Sequence, residues 1–160
     1  MIRALDPHHD RAAVAALLTR AQDYYHLWKG HAPGLAEVDE VFSSTPPGCD
    51  PAASQRLGLF HDDQLTGVAE LSFGFPCPAD AYLGLMILSP EARGTGHGKT
   101  FLAEIEHRAR AAQASLLCLA VLQANPRGAA FWARMGFAPA GVTRHDAETG
   151  HTIHRLAKPL

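Results

Sequence analysis

Residues 83–122 constrain the fold more than any other part of the chain. They open with an apolar run at 83–88 and close with a nearly all-apolar run, Leu116–Leu122. A strand that is apolar throughout has no solvent face, so it belongs inside a sheet covered on both sides. The stretch between begins near His97 and buries Phe101, Leu102, Ile105 and Ala109 on one helical face. Two strands joined through a helix run parallel, with a right-handed crossover. Between the first strand and that helix lies a turn at Ser89-Pro90, then Gly94, Gly96 and Gly98. Glycines let the backbone approach a ligand closely, and free N–H groups at a helix start favour an anion. A ligand carrying phosphates is implied.

Spacing decides which phosphate ligand suits the loop. A mononucleotide P-loop needs glycine, four residues, then Gly-Lys-Ser/Thr. Gly98-Lys99-Thr100 supplies the end, but the first glycine falls on Arg93. The 116–122 strand also runs into Gln123, not the aspartate that a magnesium site wants. The dinucleotide pattern G-x-G-x-x-G starts at Gly94 and Gly96, then meets Lys99 where glycine is required. A third pattern fits without adjustment. Arg93-Gly-Thr-Gly96-His-Gly98 matches Arg/Gln-x-x-Gly-x-Gly/Ala. Further on, Asn125-Pro-Arg-Gly-Ala-Ala-Phe-Trp-Ala-Arg-Met-Gly-Phe137 resembles N-x-x-A-x-x-F-Y/W-x-x-x-G-F. With both motifs in order, the chain resembles the GNAT superfamily of N-acetyltransferases, specifically from Leu83 to Phe137 and more loosely outside.

The rest of the chain agrees with that resemblance. A length of 160 residues suits one domain, 1–160, with a core that needs no staples. Net charge is −2 with acids and bases mixed, so no basic patch for nucleic acid and no polybasic membrane anchor is expected. No run reaches membrane-spanning length, and the acids near the N-terminus exclude a secretory leader there. Cys49, Cys77 and Cys118 have unrelated spacings, so neither disulfides nor zinc is implied. The pairs His8-His9 and His151/His154 point to opposite faces of their segments, so no metal is expected. A cytoplasmic protein is the expectation.

The remaining elements follow from pattern. A strand at 2–5 precedes Asp6-Pro7, read as N-cap and first helical residue of a helix burying Val14, Leu17, Leu18 and Ala21. A second helix is expected over 35–42, then a loop at 43–51. Residues 56–61 and 65–75 form a hairpin across Asp62-Asp63-Gln64. Asn125-Pro126 starts a helix that Gly136 ends, and 137–143 with 152–158 close the chain as a hairpin. The order β-α-α-β-β-β-α-β-α-β-β is that of the GNAT fold, an α/β fold with a mixed sheet.

The resemblance implies acetyl-CoA as acyl donor and a primary amine, on a small molecule or peptide, as acceptor. Its pantetheine arm would lie between the two splayed parallel strands, against the backbone of Met86, Ile87 and Leu88. Its pyrophosphate would lie on Arg93, Gly94, Thr95, Gly96, His97 and Gly98, with Lys99 nearby. Asn125 would reach the donor as well as cap its helix, and Arg127, Arg134 and Lys99 are either phosphate contacts or a solvated face. Glu70, mid-strand, stands as base or substrate anchor, or as half of a structural ion pair. Tyr24, Tyr25 and His26 fall where the family builds its acceptor pocket; packing under a loop, with Leu27 and Trp28, is the alternative.

The second motif carries Trp132 where many relatives have tyrosine beside the coenzyme sulfur. An indole N–H is no acid at neutral pH, so Tyr82 or water would protonate the thiolate, or it leaves unaided. That departure keeps a second function in view, a non-catalytic acyl-CoA-binding or sensing domain. Homodimers are common in such a family, so a homodimer is also open.

Overall fold

The computed structural model describes residues 1–160. Strand β1 (Ile2–Ala4) leads to a turn, not directly to a helix. Asp6 Oδ1 accepts from the backbone N–H groups of His8 and His9, both at 2.8 Å, so Asp6 caps that turn. Helix α1 (Arg11–Arg20) starts later, after Asp10. Both Asp10 oxygens accept from Arg3 at 2.7 Å, which anchors the helix start to β1 and holds the Asp10 carboxyl at about 2. The expected N-cap at Asp6 is thus corrected; the charge pair with Arg3, invisible in local pattern, selects Asp10.

The first expected helix is a broken pair. Ala21 (φ −93, ψ 22) interrupts it, and α2 (Gln22–Lys29) follows and ends at Gly30 with φ 79. The aromatic run 24–28 is therefore helical. Helix α3 (Leu35–Ser43) starts at Gly34, whose N–H donates to the Glu37 carboxylate at 2.7 Å.

Strands β2 (Gln55–His61) and β3 (Gln64–Phe73) form a hairpin over Asp62 and Asp63 alone, with φ 48 and 60. That left-handed pair makes a two-residue turn matched to strand twist, and Gln64 already pairs with His61. Then follow β4 (Asp80–Leu88), a short 3₁₀ turn at Pro90–Ala92, α4 (His97–Ala111) and β5 (Leu116–Leu122). Helix α5 (Pro126–Arg134), β6 (Ala138–His145) and β7 (Thr152–Pro159) complete the chain.

The strands make one sheet in the order β1-β2-β3-β4-β5-β7-β6. Strand alternation divides its side chains between two cores. On one face Val68 and Ile87 pack with Val14, Leu17, Leu18, Tyr25, Val38 and Val41 of α1–α3. On the other, Ala69, Leu71, Leu83, Leu117 and Leu119 pack with Phe101, Leu102, Ile105 and Ala109 of α4.

Two irregularities at β4 shape the site. Strands β4 and β5 are parallel, as expected, but pair only from Asp80↔Leu116 to Leu83↔Leu119. Beyond that, β4 stays with β3 and β5 stays with β7, so the two part. At the parting point Leu71 pairs Leu83 while Glu70 pairs Leu85, which leaves Gly84 as the extra residue of a β-bulge.

Candidate active site

The gap between β4 and β5 offers one half of a site. Past Leu83 the inner edge of β4 has no strand partner, so an extended ligand can take backbone hydrogen bonds there. The gap leads to the glycine loop. Gly94 and Gly96 have φ 74 and 89, and a Cβ at either would meet nothing within 4 Å. Their requirement is therefore conformational, and the space above them is open. Gly96 caps α4 without a side chain, and no acid occupies the first turn of that 15-residue helix. The first backbone bond into the helix is Thr100 N–H to Gly96 C=O, so the N–H groups of His97, Gly98 and Lys99 face outward without an intrahelical acceptor. These features suit a pyrophosphate.

Arg93 does not project into this space. Its Nε donates to the Leu88 carbonyl at 3.0 Å, and its Nη atoms donate to Asp23 at 2.5 and 3.0 Å. A second pair, Arg20 with Glu91 at 3.1 Å, lies alongside. The glycine loop is thereby strapped to α1 and α2. Gly98 is buried, with Leu88 and Phe131 close enough that a Cβ would sit 3.2 and 3.4 Å from them. Helix α5 thus rests on the start of α4 through Phe131. Thr95 and His97 are bonded to each other at 2.6 Å, and Lys99 is exposed, as are Arg127 and Arg134.

Glu70 supplies the other half. It is 4 % exposed and lines a cavity of about 210 Å³ together with Tyr82, Gly84 and Leu85 from the mouth of the gap. Its carboxylate accepts from the Ser72 hydroxyl, which in turn is 2.7 Å from Ser54 Oγ. Arg56 stands beside it on β2, in register, but donates to the carbonyls of Val41, Pro51 and Ser44 at 3.2, 3.2 and 2.8 Å. Glu70 is therefore no closed ion pair. Burial pushes its carboxyl above the ordinary range, and the Ser72 hydroxyl and Arg56 charge pull the other way. A buried carboxyl raised by desolvation and facing a cavity has the makeup of a general base.

The sequence-derived residues divide clearly. Glu70, Tyr82 and Tyr25 come together on the cavity wall, joined by Trp28. Tyr24 packs against Trp28 at 5.9 Å without lining the cavity, and His26 is exposed. Tyr82 is raised by burial and stacks edge-on with Phe75 at 5.0 Å. Trp132 packs edge-on with Phe131 and Phe137 at 4.9 and 5.3 Å and against the α4-side core. Asn125 caps α5, its Oδ1 accepting from Gly128 N–H at 3.0 Å. Met86 and Leu88 pack against the α4-side core, while Ile87 belongs to the opposite one. Cys118 is buried, its thiol pushed up to about 11, which makes it inert.

Sequence reasoning missed Ser72, Arg56, Gly84, Glu37 and Glu40. Two had a signal. Ser72 is two positions from Glu70 and so shares its face, and a glycine inside an apolar strand marks a bulge. The others come from distant segments.

A mixed sheet with a parted parallel pair, a glycine loop at a helix start and a buried carboxylate at the parting point defines an acyl-CoA-type transferase architecture. The family described as Acetyltransferase (GNAT) family matches residues 21–137, and the chain belongs to it. Solved structures repeat the fold over the full length. An acetyltransferase from Thermus thermophilus superposes with TM-score 0.78 at 22% identity, covering 100% of this chain and 96% of that one. Ribosomal-protein-alanine N-acetyltransferase from Brucella melitensis gives 0.73 at 20%, covering 100% and 99%. The PaiA N-acetyltransferase of Thermoplasma acidophilum, solved with coenzyme A, gives 0.70 at 21%, covering 100% and 98%. No curated protein matched the chain. No helix is long and apolar enough to cross a membrane.

Proposed function

We propose that the protein transfers an acetyl group from acetyl-CoA to a primary amine by direct attack. The observation that carries this reading is the position of Glu70, buried on the cavity wall where β4 leaves β5. When bound, acetyl-CoA supplies the acetyl group as a thioester. The free edge of β4 from Gly84 to Leu88 aligns the donor arm, and the open glycine loop with the first N–H groups of α4 takes its phosphates. Glu70 accepts a proton from the incoming ammonium, which frees the nitrogen lone pair. The lone pair forms the C–N bond, the C–S bond breaks with its electron pair on sulfur, and the nitrogen, cationic once acylated, releases its second proton to solvent. An outward N–H of β4 donates to the carbonyl oxygen as charge grows there. The thiolate takes its proton from Tyr82 or solvent. Trp132 has no acidic hydrogen to give.

A thermal-shift titration tests donor binding. Acetyl-CoA at a hundred times its Kd is expected to add about 2.7 kcal/mol of stability, with no shift from ATP–magnesium. Thiol release across a panel of amines then tests turnover. A shift with ATP alone, or with neither, overturns the reading. Donor binding without turnover on any amine favours the binding-only alternative that Trp132 raises.

A further inference from the structure

The walls of the cavity say more about the acceptor than that it carries an amine. Glu37 and Glu40 line it with Trp28 and Tyr25, and no lysine or arginine does. The Glu37 carboxyl is held below its ordinary range, chiefly by the Gly34 N–H and further by Lys29, so it is charged at neutral pH. These groups already hold one ammonium. Lys29 Nζ donates to Glu40 at 2.6 and 2.9 Å and to Glu37 at 3.4 Å, and sits 4.8 Å from the centre of the Trp28 ring. The Glu40 side chain is 44% exposed, which leaves its carboxylate room for a second donor. Tyr25 lines the same cavity and is 2 % exposed, yet no hydrogen bond reaches its hydroxyl. Two carboxylates against one lysine leave this wall net negative, apart from Glu70. Carboxylates beside an indole face suit an alkylammonium through charge-assisted hydrogen bonds and cation–π attraction.

Resting on the acetyltransferase reading, we propose that the acceptor is a small molecule with two cationic amines. One reacts beside Glu70 and Gly84; the other is held by Glu40, Glu37 and Trp28. Lys29 tunes this wall by competing for its carboxylates. The apolar faces of Tyr25, Val41 and Leu85 receive the chain between the two amines.

A series of α,ω-diaminoalkanes against n-alkylamines of matched length provides the test. Calorimetry on the coenzyme A complex reads binding, and thiol release with acetyl-CoA reads turnover. The best diamine is expected to exceed its matched monoamine in kcat/KM about tenfold or more, a gap worth about 1.4 kcal/mol. Glu40→Gln should bring that ratio toward one, and Lys29→Met should raise it. If both variants lower the ratio, the wall serves the fold and the proposal falls. Turnover of diamine and monoamine at equal kcat/KM, with equal binding, overturns the second cation and leaves the acetyltransferase reading intact. Selective diamine binding without turnover of any amine upholds the second-cation site and overturns the transferase reading.

Discussion

Glu70 and Gly84 show how single residues shape the cavity. Glu70 has its carboxyl raised by burial above the ordinary 4.5. Above 4.5, until the folded carboxyl has ionised, the folded protein binds more protons than the unfolded chain, so stability falls as pH rises. The sign is the reverse of a salt-bridged carboxylate. Glu70→Gln should therefore melt higher than wild type at neutral pH in calorimetry, with the gap narrowing as pH falls to 4.5. The same substitution should cut kcat/KM by about a hundredfold or more if Glu70 is the base. The wild-type acid limb of the pH–rate profile should have its midpoint above 4.5 and should vanish in the variant. At Gly84 a Cβ would meet Glu70 Oε2, so the Glu70 side chain would have to move aside. Gly84→Ala should cost about 1–3 kcal/mol in denaturant unfolding. With Glu70 as the proposed base, it should also lower kcat by roughly a hundredfold, because the carboxylate is pushed out of place.

Among the elements, α2 and the glycine loop act as a pair. The Arg93–Asp23 bridge is partly solvent-exposed, with side chains 27% and 58% accessible, so its loss should change stability by no more than about 1 kcal/mol. Its consequence is positional. Asp23 precedes Tyr25 and Trp28 on the same short helix, so one ion pair links the glycine loop to the cavity wall. Asp23→Asn should raise KM for acetyl-CoA several-fold while kcat changes less, as initial-rate kinetics at saturating amine would show. An effect on kcat alone would mean that the loop stands without its strap. The parted strands have an equally physical cause. The bulge at Gly84 turns β4 while β3 still pairs it, and β7 holds β5 on its other side.

Across the whole molecule, two cores press on one sheet, and the parting of β4 from β5 is tolerated because each strand keeps its outer neighbour. Leu119, 1% exposed at the last pairing position, sits where the parallel ladder ends. Leu119→Ala should cost about 2–5 kcal/mol in thermal unfolding, whereas Val142→Ala on exposed β6 should stay within about 0.5 kcal/mol. The chain's local pattern was enough for the strand–loop–helix unit, the cap at Asn125 and the glycine stop at Gly136, and the pair of motifs. Each of these depends on neighbours along the chain: apolar periodicity, proline after an N-cap, glycine at positive φ. Local pattern misplaced the first helix start because the choice between Asp6 and Asp10 rests on Arg3, across a turn. It could place Glu70 on a strand and Tyr25 near a helix, but not on one cavity wall. The surroundings of Glu70 come from Ser54, Arg56, Ser72 and Gly84, and the facing cavity wall from α2 and α3. Burial, charge and contact between such segments are properties of the packed chain. Neighbours in sequence suffice to specify the glycine loop; the cavity wall exists only in the folded chain, because its groups meet by packing rather than by spacing.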